Sequence, residues 1–305
     1  MNLTDKLHEI KGWCELQKVL ILGATGMLGS ACMEIMGHNS EIELVGTARS
    51  GNDRYIAFDA RTDSIDKLLE SIKPNWVINC IGIIKPHIDE KVAASIENAI
   101  QVNSKFPILL AGEAEKIAAK VIQIATDCVY SGVKGSYVES DLHDATDVYG
   151  KTKSLGEVPS QNVMHIRASI IGPEIGRSTS LLEWFRNQAI DAKLNGFTDH
   201  LWNGVTTHAF GKLCLGILNS DAFMAGPHHV IPGDVVSKAK LLRIFAEAYN
   251  RKDIVISDVI SPKQIDRTLG TENLGLSNEL WALAGYKSPP TVEEMVLEQA
   301  EMLKN

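Results

Sequence analysis

Residues 18–22 (KVLIL) form an apolar run that stops at Gly23-Ala-Thr-Gly26-Met-Leu-Gly29, after which residues 30–36 take up a helical pattern. A buried strand that breaks at a glycine-rich turn and restarts as a helix narrows the choice of fold more than any other feature of this chain. It is the opening of a dinucleotide-binding βα unit. Gly23 permits the tight turn. Gly26 lets the backbone approach a pyrophosphate, which meets the positive end of the helix dipole. Gly29 lets helix pack closely on strand. The turn residues Gly23, Thr25, Gly26, Met27, Leu28 and Gly29 are therefore the expected phosphate cradle. The spacing is G-x-x-G-x-x-G, not the G-x-G-x-x-G of classical dehydrogenases.

The pattern repeats downstream. Residues 41–47, 56–58, 76–80, 121–125 and 163–171 read as strands, and residues 64–72, 94–102 and 106–119 as helices between them. Alternation of this kind means an α/β fold with a doubly wound parallel sheet. The second strand is followed by Arg49, with no carboxylate for free ribose hydroxyls, and a guanidinium there suits a 2′-phosphate. Asp59 and Ala60, after the third strand, are placed for the adenine. Cys80 and Gly82, after the fourth, are placed for the ribose, and Asn103 lies between two helices facing the same edge. A soft boundary falls at Gly172-Pro173. It divides a dinucleotide-binding domain, 1–172, with an extension at 1–17, from a smaller mixed substrate-binding part, 173–305. In that second part residues 180–192, 207–218, 237–249 and 291–303 read as helices, and 228–231 and 254–259 as short strands.

The chemistry concentrates in residues 121–153. Thr126 and Asp127 sit where the fifth strand ends, and ligands of open parallel sheets bind outside the carboxyl ends of strands. Tyr149 and Lys153 are one helical turn apart and share a face. An ammonium beside a phenol favours phenolate, which would bring proton transfer toward neutral pH. Thr126 adds a hydroxyl for the same carbonyl or alcohol oxygen.

At 305 residues, 45% hydrophobic and 22% charged, the chain has the composition of a soluble globular protein. No run is apolar enough to span a membrane, and the first residues carry no signal core, so a cytoplasmic location is expected. The five cysteines are scattered and fit neither a zinc spacing nor a disulfide framework, and no metal site is expected. A formal charge of −8 argues against nucleic acid as a partner. A homodimer is compatible with the sequence.

GATGMLG, WVINCIG, ATDCVYSG, YGKTKSLGE and IRASIIGPE, in that order, resemble the extended short-chain dehydrogenase/reductases, and within them the dTDP-4-dehydrorhamnose reductase branch of sugar-nucleotide reductases. The resemblance covers residues 18–173 well and the remainder weakly. It implies a Rossmann sheet, NADPH, and a nucleotide-diphosphate-linked 4-keto-6-deoxyhexose. Thr126, Tyr149 and Lys153 fall on the catalytic motif, with Tyr149 as proton donor and Lys153 on the nicotinamide ribose. Asp127, Val129, Tyr130, Trp202 and Asn203 fall on the sugar side, and Arg177, Arg186 and Arg267 are cations available for the diphosphate. Lys85, in the loop after the fourth strand, is read from its position at the sheet edge where substrate would sit. Dehydratases of the wider family follow the catalytic Thr with Asp-Glu. Here it is Thr126-Asp127-Cys128, which weakens water elimination and leaves carbonyl reduction. The branch also resembles the regulatory subunit of methionine adenosyltransferase, a non-catalytic alternative. A nucleotide-sugar epimerase is a second.

Overall fold

The computed structural model describes residues 16–174 and 180–304. Its first strands show why the sheet must be covered on both sides. In β1 (Gln17–Leu22), Val19 and Ile21 enter one core while Leu20 and Leu22 enter another. Successive strand side chains point to opposite faces, so an unbroken apolar run needs two layers of helix. β2 (Ile42–Ala48), β3 (Ile56–Ala57), β4 (Trp76–Asn79), β5 (Lys120–Ala125) and β6 (Val163–Arg167) follow. In β4, Trp76 and Ile78 join the first core and Val77 the second.

Every pairing in the central sheet is parallel, and the order runs β3, β2, β1, β4, β5, β6, then Gly226–His229. The order reverses between β1 and β4, which opens a crevice at their carboxyl ends. Helices Ile65–Ile72 and Phe106–Lys116 cover one face. Met27–Met36, Thr207–Ser220 and Leu274–Leu283 cover the other. This is the α/β doubly wound sheet expected.

Residues after 173 do not stay apart. Gly226–His229 returns as the seventh strand beside β6, and Thr207–Ser220 packs on Met27–Met36. A third core lies apart from these two. It joins Leu181–Arg186, Lys238–Ala248 and Val292–Met302 beyond the carboxyl edge.

Two local expectations change. The helix expected over 180–192 ends at Arg186, and Lys193–Phe197 is a strand parallel to Val255–Val259. Backbone pairing across 62 residues, which local periodicity does not register, decides that segment. The helices flanking Asn103 are one continuous run from Ala93 to Lys116, interrupted by a π-helical turn at Gln101–Lys105. Among the described residues no helix is long and apolar enough to cross a membrane.

Candidate active site

The glycine turn behaves as its spacing requires. Gly23 has φ +79°, and its N–H donates to the Thr47 hydroxyl at 3.2 Å, while Ala24 N–H donates to the Thr47 carbonyl at 2.7 Å. A Cβ on Gly29 would lie 2.1 Å from the Gly23 carbonyl oxygen. The helix can approach the turn that closely only because no side chain is there. Beside the turn is a cleft of about 690 Å³. Gly23, Thr25, Gly26, Met27, Arg49, Asp59, Ala60, Cys80 and Gly82 line it, as the sequence suggested. Leu28 and Gly29 do not. They are buried beneath the turn and support it.

Arg61, which sequence reasoning missed, also lines the cleft. Its Nε donates to both Asp59 oxygens, at 2.9 and 3.1 Å, and Nη2 donates to Oδ2. The guanidinium holds the Asp59 carboxyl down to about 2, and Arg49 contributes in the same direction. Asp59 is thus spent on Arg61, and the cleft lining holds two guanidiniums, Arg49 and Arg61, with two carboxylates, Asp59 and Glu174. The Arg49 guanidinium suits a 2′-phosphate, and the bare glycine cradle suits the dinucleotide pyrophosphate.

The proposed chemistry lies at the end of β5. Helix Val148–Leu155 carries Tyr149 and Lys153, and Asp147 caps it by accepting the Gly150 N–H at 2.8 Å. A Cβ at position 150 would meet the Cys128 carbonyl oxygen at 2.3 Å, so Gly150 allows this helix to press against the turn after Thr126. The Thr126 hydroxyl donates to Asp127 Oδ1 and accepts from the Cys128 N–H, both at 3.1 Å. Lys153 Nζ donates to the Ile124 carbonyl at 2.8 Å.

The electrostatics differ from the expectation. Burial pushes the Tyr149 phenol up, Cys128 adds to the rise, and only Thr126 acts against it. Burial pushes Lys153 down to about 8. The phenol is therefore held in its protonated form, the form that can give a proton to a carbonyl oxygen.

Asn103 does not face the cleft. From the π turn its side chain accepts the Ile83 N–H at 2.8 Å and donates to the Ile83 carbonyl at 2.9 Å and the Thr152 hydroxyl at 3.3 Å. It ties the loop after β4 to the Tyr149 helix, a positioning role.

The sugar-side expectations divide. Asp127 is buried beside Thr126. Val129 and Tyr130 are fully buried and pack with Tyr137 and Leu269, so their side chains form a pillar beneath the site and not its lining. Lys85 is paired with Asp147 at 2.7 Å and braces the cap of the Tyr149 helix. The Asn203 side chain is spent on both backbone groups of Leu269, at 2.7 and 3.0 Å. Trp202 donates to the Ser169 hydroxyl at 2.8 Å and turns one ring face to Lys238. Arg186 pairs with Glu183 and lies over Tyr249 in the third core. Arg177 lies outside the described residues. Arg267 is at the site, donating from Nε to the Tyr130 carbonyl at 2.8 Å. Lys238 was missed because nothing local marks a lysine at the first turn of a helix as functional.

Residues 17–172 match the model of the RmlD substrate binding domain family. The chain belongs to that family. Among curated relatives, it is 30% identical over 164 residues to methionine adenosyltransferase 2 subunit beta of Rattus norvegicus, covering 50% of this chain and 47% of that protein. It is 28% identical over 143 residues to dTDP-4-dehydrorhamnose reductase of Aggregatibacter actinomycetemcomitans, covering 47% and 46%. The chain thus spans about half the length of these curated relatives. The crystal structure of dTDP-4-dehydrorhamnose reductase from Bacillus anthracis in complex with NADP superposes with a TM-score of 0.75 at 18% identity, covering 94% of this chain and 99% of that one. The RmlD-type fold therefore extends well beyond the matched segment.

Proposed function

We propose that this protein is an NADPH-dependent reductase of a nucleotide-diphosphate-linked 4-keto-6-deoxy sugar, acting in the cytoplasm in deoxysugar or surface-polysaccharide synthesis. One observation carries the reading: a threonine, a protonated tyrosine and a buried lysine stand together at the carboxyl edge, beside a glycine-cradled cleft with two guanidiniums. A nicotinamide bound in that cleft supplies the hydride. Thr126 orients the carbonyl oxygen once its hydroxyl proton turns from Asp127 Oδ1 to the substrate. Tyr149 gives that oxygen its proton, and burial keeps the proton in place until it is needed. Lys153, one helix turn from Tyr149, is anchored on the Ile124 carbonyl of β5 and supplies the cation for the developing charge. Cys128 stands where dehydratases keep a glutamate, and burial pushes its thiol up to about 12, so it offers no base for elimination. The family and the relative named dTDP-4-dehydrorhamnose reductase support the substrate class. The test is a panel of nucleotide-linked 4-keto sugars assayed for NADPH oxidation, with product mass rising by two hydrogens. A mass loss equal to water would move the protein to the dehydratases.

A second reading, a non-catalytic NADP-binding regulatory subunit, is favoured by the relative named methionine adenosyltransferase 2 subunit beta. Co-purification of a partner enzyme whose kinetics this chain alters, with no turnover on the sugar panel, would select it.

A further inference from the structure

Two cations meet at the turn that follows Thr126, and neither is spent. Lys238 opens helix Lys238–Ala248. Its position is set by the antiparallel pairing of Val236 with Trp202 and Ser237 with Leu201, and by its own N–H, which donates to the His200 carbonyl at 2.8 Å. That pairing lays the ammonium 5.5 Å from the centre of the Trp202 ring. Trp202 is itself pinned by Ser169, and a Cβ on Gly204 would sit 2.4 Å from the indole ring. Arg267 reaches the same turn, held by one bond from Nε to the Tyr130 carbonyl. Both charges act on Asp127 and Cys128.

Among the described residues, neither cation has an ion-pair partner. The nearby carboxylates are committed elsewhere. Asp144 accepts from Ser131 N–H and hydroxyl, both at 2.6 Å. Asp147 caps the Tyr149 helix and pairs with Lys85. Asp127 is bonded by the Thr126 hydroxyl, and burial pushes its carboxyl up, so it is a weak counter-charge. Withdrawing an ammonium from water without an ion-pair partner is costly.

We propose that Lys238, with Arg267, forms the oxyanion-binding face of the substrate site, and that the substrate presents an anionic group over Trp202 beside the Thr126–Cys128 turn. This rests on the nucleotide-sugar reading above and assigns its anion subsite. Two sources share the chemistry, the diphosphate and a carboxylate on the sugar ring. Calorimetry with the full chain and saturating NADPH separates them, using dTDP-glucose, UDP-glucose and UDP-glucuronate as probes on the parent, Lys238→Met and Lys238→Arg. Methionine keeps the stem on Trp202 and removes only the charge. A loss of roughly ten- to a hundredfold in affinity for every probe the parent binds, with recovery in Lys238→Arg, supports a diphosphate. A loss confined to UDP-glucuronate supports a carboxylate. Unchanged NADPH affinity shows that the variants are folded. If Lys238→Met binds every probe as the parent does, this inference fails and the nucleotide-sugar reading stands. A parent that binds NADPH and none of the three probes overturns both.

Discussion

At the residue scale the site turns on which protons are held and which charges are free. Tyr149→Phe removes only the proton donor, so NADPH binding should persist while turnover falls by about 10²–10⁴-fold. Stopped-flow binding and steady-state rates on one preparation check this, and parental turnover in the variant would remove Tyr149 from the mechanism. Lys153 is charged below about 8 and neutral above it. The rate of reduction should therefore fall as pH rises through that value. Folding stability should move the other way: from about 8 toward the ordinary lysine value of 10.5, the unfolded chain keeps a proton that the folded chain has released, so Lys153 favours folding more as pH rises. Lys153→Arg, whose guanidinium stays charged, should carry the falling limb to higher pH. Arg49→Ala should weaken NADPH by roughly ten- to a hundredfold and leave NADH unchanged, as titration of both cofactors would show. Equal loss for both would mean that Arg49 does not read the 2′-phosphate.

At the element scale, the Val148–Leu155 helix is short, with eight residues, and depends on its ends. Asp147 accepts the Gly150 N–H and receives Lys85, so one carboxylate both caps the helix and ties it to the loop after β4. Asp147→Ala should cost about 0.5–2 kcal/mol of stability through the lost cap. It should also slow turnover with little change in NADPH affinity, because the helix that carries Tyr149 loosens while the cleft is intact. Thermal melts and kinetics together test this, and a variant that melts lower but turns over as the parent would confine Asp147 to stability. The π turn at Gln101–Lys105 serves the same helix from the other side. It directs Asn103 at Ile83 and Thr152, and Gly156 lets the Asn103 carbonyl come within 2.0 Å of where a Cβ would stand.

At the scale of the whole molecule, a buried ion pair joins the parts. Arg167 donates to Glu157 through Nε at 3.0 Å to each oxygen and through Nη2 at 2.6 Å, and Nη1 reaches the Tyr130 hydroxyl at 2.9 Å. The two side chains are 4% and 8% exposed, which takes the pair out of the weak surface class. Glu139 extends the connection. It accepts from His229 N–H, the Thr271 hydroxyl and Glu272 N–H, and so fastens the loop after β5 to the last strand of the sheet and the segment before Leu274–Leu283. Arg167→Met leaves Glu157 buried and unpaired and should cost about 3–5 kcal/mol. Removing both charges in Arg167→Met/Glu157→Met should recover much of that loss. Denaturant unfolding of the single and double variants reads the difference, and equal destabilisation in both would mean that packing, not charge, holds this junction.

The sequence alone determined the parallel sheet, the glycine cradle and the placing of Thr126, Tyr149 and Lys153 on one edge. Those features are local: strand alternation, turn spacing and a four-residue helical step are written in adjacent residues. Arg49 and Asp59 were legible for the same reason, since each follows a recognisable strand. Tertiary structure decided what each charge is free to do. Asp59 is taken by Arg61, Lys85 by Asp147 and Asn203 by Leu269, while Tyr130 points into the core. It also decided the state of Tyr149, which burial holds in its protonated form. Lys238 shows the limit most plainly. It is 111 residues from Asp127 in sequence, and only the pairing of residues 201–202 with 236–237 brings its charge to the same turn.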